Sequence, residues 1–133
     1  MYQLGSRSLK NLVGVHPALA FAVTEAIKIT QQDFTVFDGV RTPEKQRRLV
    51  EKGMSKSNNS YHLYGLAVDL VPYTNNGPTW AEELFPPIIE AMNTVIENYN
   101  LPIQNGFQEW GWDMPHWQLT GMRDEYDIRK ILK

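Results

Sequence analysis

From Gly65 to Val71 the chain alternates without a break. Leu66, Val68 and Leu70 fall on one face of an extended segment, and Ala67, Asp69 and Val71 on the other. A strand of this kind needs neighbouring strands and a layer over its apolar face, so it commits the chain to a sheet-containing fold. Asp69 sits opposite the most regular apolar stripe, beside the small Gly65 and Ala67, where there is room for an ion and a ligand.

The remaining segments alternate helix and strand irregularly. Pro17 suits the first turn of a helix that places Leu19, Val23, Ala26 and Ile27 on one face and ends before Asp33. Phe34 to Phe37 reads as a strand closed by the turn pair Asp38-Gly39. Thr42 can cap a second helix with Pro43 at its first position and Gly53 as its stop. A polar loop follows from Ser55 to Tyr61. Thr79 to Glu82 has a capping-box pattern, which Pro86 and Pro87 interrupt, so the third main helix is expected from about Pro87 to Tyr99. Asn105-Gly106 suggests a hairpin turn, His116 to Leu119 a last strand, and Arg123 to Lys133 a basic amphipathic helix. The order lacks the regular βαβ rhythm of a parallel sheet. The expected fold class is α+β: a short antiparallel sheet flanked by helices, in one domain spanning 1–133.

Composition narrows the chemistry. A chain of 133 residues can bury a core without staples. Its net charge of −2 gives no reason to expect nucleic acid as a partner. The basic cluster from Lys45 to Arg48 is read as a solvated helix face. With no cysteine, any metal must be held by nitrogen and oxygen, which gives weight to the 3 histidines. No stretch is long enough to span a bilayer, and the first ten residues lack the pattern of a signal peptide. The expectation is a cytoplasmically made monomer without membrane insertion.

His62 precedes Asp69 by seven residues, with Gly65 between them to turn the chain. His116 follows Asp113 by three, with Pro115 stiffening the turn, and shares a strand face with Gln118. Three ligands from His and a carboxylate, with a position left for water, make up a common catalytic zinc site. His62, Asp69 and His116 would be the ligands, leaving Asp113 to handle a proton. From spacing alone, hydrogen-bonded structural histidines explain the pattern equally well. His16, just before Pro17, suits helix capping or surface packing. For most of the tryptophans at 80, 110, 112 and 117 a core role is expected.

Ser60-x-His62-x-x-Gly65-x-Ala67-x-Asp69, followed by Asp113-x-x-His116-Trp117, resembles a family of zinc peptidases. That family includes D-alanyl-D-alanine dipeptidases and carboxypeptidases and the phage L-alanyl-D-glutamate endopeptidases. Asp38-Gly39-Val40-Arg41-Thr42 is similar to the family's arginine turn, and Val15-His16-Pro17 to the opening of its phage members. The resemblance implies one zinc per chain on His62, Asp69 and His116, with Asp113 as acid/base. It implies that Arg41 and Ser60 contact substrate, Arg41 near a carbonyl oxygen or carboxylate, where it would also assist catalysis. The implied substrate is the peptidoglycan stem peptide, cut at L-Ala–D-Glu by a phage endolysin that reaches the wall through a holin's lesions. The alternatives are a D-alanyl-D-alanine carboxypeptidase or dipeptidase, and a zinc-stabilised binding module without turnover. Two positions depart from parts of the family. Tyr64 stands where phage members often carry Thr, and Asp113 where many carboxypeptidases use Glu. Glu109 is a competing base, but it lacks the family spacing.

Overall fold

The computed structural model describes residues 1–54 and 60–120. Its elements run α1 (Ser6–Asn11), α2 (Pro17–Ile29), β1 (Phe34–Asp38), α3 (Pro43–Glu51), β2 (Ala67–Thr74), β3 (Gly77–Pro78), α4 (Phe85–Tyr99), β4 (Ile103–Asn105), α5 (Gly106–Trp110) and β5 (His116–Leu119). One 3₁₀ turn, Tyr61–Tyr64, precedes β2, and another, Glu82–Leu84, leads into α4. The expected helix over 123–133 and most of the expected polar loop, residues 55–59, lie outside the described residues.

The sheet is antiparallel in the order β1-β2-β5-β4, with β3 paired to the far end of β2. One face carries Phe34, Val36, Leu66, Val68, Leu70, Trp117 and Leu119. All are buried in a single cluster with Leu19, Val23 and Ala26 of α2 and Ile88, Met92 and Val95 of α4. The apolar stripe of β2 thus meets two helices whose own stripes recur at three and four residues, and the excluded water drives the layers together. The opposite face is where Asp69 emerges.

Local choices agree with the sequence at several helix ends. The α2 cap is His16, whose Nδ1 accepts from the Ala18 amide at 3.1 Å. Thr42 caps α3 by accepting from the Lys45 amide at 3.1 Å. Strand β2 starts at Ala67 and runs past the expected Val71 to Thr74, because Pro72 pairs with Phe34 of β1 and Tyr73 and Thr74 pair with β3.

Other expectations are corrected. Thr79 does not cap a helix in a reciprocal box; its hydroxyl accepts from the Ala81 amide in a local turn. Helix α4 begins at Phe85 rather than Pro87, because both prolines fall in its first turn, where amides have no intrahelical partner. Asn105-Gly106 is not a hairpin turn. Asn105 ends β4 and caps α5, accepting from Phe107 and Gln108, so α5 and the segment after it connect β4 to β5. The core role for most tryptophans fails. Trp117 alone is buried, at 0%, while Trp80, Trp110 and Trp112 are 56%, 38% and 53% exposed. The three exposed rings lie in loops or in the one-and-a-half turns of α5, beyond the faces that α2 and α4 cover.

Helix α1 was not expected from sequence. It is six residues long, its cap Gly5 offers no side chain, and it is held by contacts far along the chain. Ser8 Oγ lies 3.1 Å from Thr35 Oγ1 and accepts from the Val36 amide, while Asn11 Nδ2 donates to Val36 O at 2.8 Å. Just beyond α1, the His16 amide donates to Gly65 O at 2.8 Å. Gly39 and Gly65 pack so closely on the backbone of Asn11 and Gly14 that a Cβ at either would collide with a carbonyl oxygen. Residues 8–16 therefore press on β1 and on the turn that carries His62.

Candidate metal centre

Sheet register assembles the centre. Asp69 of β2 pairs with His116 of β5 on one side and with Asp38 of β1 on the other, so all three side chains share the face away from the core. An irregularity between Val36 and Asp38 makes this possible, since without the extra residue Phe37 would stand opposite Asp69. This is a β-bulge that redirects a side chain. His62 arrives from the 3₁₀ turn, whose last residue hands over to Gly65 in the left-handed region at φ 72.

The three expected ligands come together. His62 Nε2 and His116 Nδ1 each lie 3.3 Å from Asp69 Oδ1, and the ligand atoms of the set lie within 4.8 Å of one another. These residues can hold a metal ion. The other nitrogen of each ring is occupied. His62 Nδ1 lies 2.9 Å from Gly39 O, which can only accept, so Nδ1 carries the proton and Nε2 presents its lone pair. His116 Nε2 lies 2.8 Å from Gln118 Oε1, which fixes the reverse tautomer and turns Nδ1 inward. His62 Nε2 is buried and makes no hydrogen bond. A nitrogen in that state is costly to keep unless something binds it. Two nitrogens and a carboxylate oxygen match the donor set of zinc.

Charge around the centre is organised by Arg41. Its Nη2 donates to Asp69 Oδ2 at 3.1 Å, its Nη1 to Gln46 Oε1 at 3.0 Å, and its Nε to Asp38. Lys45 Nζ reaches the other oxygen of Asp38 at 3.1 Å. Burial alone would raise the pKa of Asp69, but in the metal-free protein the two imidazoles beside it, in their protonated form, outweigh burial and hold it well below the usual carboxylate range. Burial works against the charged form of His116, yet contact with Asp69 and Gln118 raises its pKa above the ordinary value. Asp113 is pushed up by burial and by the charge of Asp69, against the opposing pull of His116.

The other expected site residues fall as follows. Asp113 is half-buried just before β5, in the left-handed region at φ 69, and its carbonyl accepts from the His116 amide at 3.1 Å. Glu109 is exposed on α5. Ser60 caps the 3₁₀ turn, accepting from the His62 amide at 3.2 Å. Arg41 is anchored to the same turn, its amide donating to His62 O at 3.0 Å. Gln118 was placed on the face of His116 and Asp38-Gly39 in the turn before Arg41, but neither these three nor Gln46 were given a role at the site from sequence. Gln118 was findable, being two residues from His116 on the same strand face. The role of Gly39 is carried by a backbone carbonyl and leaves no mark on residue type.

Comparison with known proteins places this arrangement. Residues 1–128 match the model of the phage L-alanyl-D-glutamate peptidase family. An L-alanyl-D-glutamate peptidase of Escherichia phage T5 is 30% identical over 109 residues, covering 79% of this chain and 80% of that protein. The crystal structure of the Serratia marcescens L-Ala D-Glu endopeptidase ChiX superposes with a TM-score of 0.80 at 32% identity, covering 89% of this chain and 90% of that one. The chain belongs to the phage L-alanyl-D-glutamate peptidase family.

Proposed function

We propose that this chain is a zinc-dependent peptidoglycan peptidase that cleaves the L-Ala–D-Glu bond of the stem peptide. One observation carries the reading: a buried, unpartnered His62 Nε2 facing Asp69 Oδ1 and His116 Nδ1, in a member of this peptidase family. His62, Asp69 and His116 would hold the ion. When bound, zinc supplies a Lewis acid that polarises a carbonyl and lets water ionise near neutral pH.

The chain's own groups supply the rest. Asp113 takes the proton of the attacking water as the C–O bond forms, and returns it to the leaving amine as the C–N bond breaks. Burial of Asp113, which raises its pKa in the metal-free protein, favours the return of the proton. Arg41 fixes Asp69 through Nη2, and the N–H left over on each Nη after the bonds to Asp38, Gln46 and Asp69 is the donor proposed for the carbonyl oxygen or a substrate carboxylate. Ser60 sits beside His62 and is the second proposed substrate contact.

Among the described residues no helix is long and apolar enough to cross a membrane. The proposed setting is that of an endolysin: a monomer with one catalytic domain over 1–133, which gathers in the host cytoplasm and meets the wall after a holin opens the membrane. Digestion of purified peptidoglycan with the zinc-loaded protein, followed by mass spectrometry and N-terminal analysis, tests the bond. New D-Glu N-termini support the reading. Released D-Ala would replace it with a D-alanyl-D-alanine carboxypeptidase, and an intact wall with a non-catalytic module.

A further inference from the structure

Two residues outside the ligand set bear on where Asp113 stands. Asn105 is 1% exposed, and its side chain makes four hydrogen bonds. Oδ1 accepts from the Phe107 and Gln108 amides at 3.1 and 3.3 Å, which fixes the start of α5. Nδ2 donates to Met114 O at 3.0 Å and to His116 O at 3.1 Å, which fixes the far end of the same excursion. One amide thus ties both ends of the segment that carries Asp113. The next residue closes the space behind it. A Cβ on Gly106 would lie 2.6 Å from Asp113 O, 3.1 Å from Asp113 Cβ and 2.9 Å from Trp110 Cζ2. The first of these contacts is backbone, and Asp113 already holds a left-handed φ of 69, so it has little freedom to retreat.

We infer that Asn105 and Gly106 are positioning residues for the Asp113 carboxylate, fixing its placement relative to His116. The inference rests on the reading of Asp113 as the acid/base. Its physical content is that a base must stand within hydrogen-bond reach of the proton it takes, and that displacement by about 1 Å can cost on the order of 10²-fold in rate.

Asn105→Asp separates positioning from helix capping. Asp caps a helix about as well as Asn, so the bonds to Phe107 and Gln108 survive. Ionised, it cannot donate, and even protonated it offers one O–H in place of two N–H, so at least one of the carbonyls of Met114 and His116 loses its donor. The expected result is a folded protein that retains about one zinc per chain, with kcat on a defined stem peptide lowered roughly 10- to 100-fold and KM within about twofold. Gly106→Ala should lower kcat in the same way by direct displacement. In an Asp113→Asn background neither change should reduce the residual rate further, because the group they position is gone.

Wild-type kcat in both Asn105→Asp and Gly106→Ala would overturn the inference, as would equal losses with and without Asp113. Loss of zinc from Asn105→Asp would also overturn it, by locating the effect at His116. If Asp113→Asn alone kept full activity, the reading beneath the inference would fail instead, which the same set of proteins reveals. Should Asn105→Asp not fold, Gly106→Ala with and without Asp113 decides the matter.

Discussion

The two oxygens of Asp69 face different partners: Oδ2 receives the Arg41 Nη2 proton at 3.1 Å, while Oδ1 lies 3.3 Å from a nitrogen of each imidazole. The guanidinium therefore orients a proposed ligand and balances its charge without competing for the oxygen that faces the ring nitrogens. Partners of this outer kind are typically worth 10- to 100-fold in metal affinity or activity. Arg41→Ala should weaken zinc binding by about that factor and lower the thermal midpoint of the metal-free protein, because Asp38 and Asp69 lose their shared cation. Arg41→Lys should recover only part, lacking the fork that reaches Asp38, Gln46 and Asp69 together. Chelator competition with kinetics on the same samples checks this. Unchanged affinity and unchanged kcat in Arg41→Ala would reduce the residue to a structural ion pair.

The ligand assignment makes a stoichiometric prediction. The purified protein should carry about one zinc, lose activity to a chelator and recover it on adding zinc back. His62→Ala and His116→Ala should each lose metal and turnover together. Full zinc content in both would remove these histidines from the site.

Asp113→Ala should keep its zinc and its fold while losing turnover by roughly 10² to 10⁴, the usual worth of acid/base catalysis. Glu109→Ala, altering an exposed side chain on α5, should stay near wild type. The opposite pattern would move the base from Asp113 to Glu109.

Zinc affinity should depend on pH in a defined direction. In the metal-free protein His116 holds its proton to above its ordinary value of 6.5, and zinc must displace that proton. Asp69, with its pKa depressed, stays ionised throughout and adds no slope near neutrality. Affinity should therefore climb as pH rises through the raised pKa of His116 and level off above it. The metal-free protein should show the reverse trend in stability. A raised histidine pKa contributes fully below the unfolded value and is lost as pH rises through the folded one. Titrations from pH 6 to 9 with and without zinc test both slopes, and a flat affinity would contradict the assignment.

Gly39→Ala probes the backbone behind His62. The new Cβ would strike Asn11 O, which belongs to the end of α1 and cannot swing away. We expect destabilisation of about 3 kcal/mol or more, at the upper end of overpacking costs. Zinc affinity should fall as well, because the Gly39 carbonyl sets the His62 tautomer. A stable variant with normal affinity would show that this packing is slack.

The grouping of His62, Asp69 and His116 was legible because these proposed ligands coincide with a strong local signal. The alternation from Gly65 to Val71 puts Asp69 off the core face, and His116 follows from a four-residue strand with the same period. Four features were not legible, for physical reasons. Asn105-Gly106 signals a hairpin and a helix cap equally well, since Asn serves both and Gly permits either a turn or a close approach; the pull of Met114 and His116 decides. Trp80, Trp110 and Trp112 look like core by residue type, but burial depends on whether a helix covers the position. The bulge at Phe37 and the helix Ser6–Asn11 exist because of partners distant in sequence, which no window along the chain contains.

The press of residues 8–16 on Gly39 and Gly65 sets limits for engineering this protein. A shortened chain begun at Pro17 would retain His62, Asp69, His116 and the whole sheet. It would lose the wall against which the His62 turn is braced, and with it the order of the imidazole. A peptide fused ahead of Met1 therefore needs a tether that leaves Ser8 and Asn11 seated.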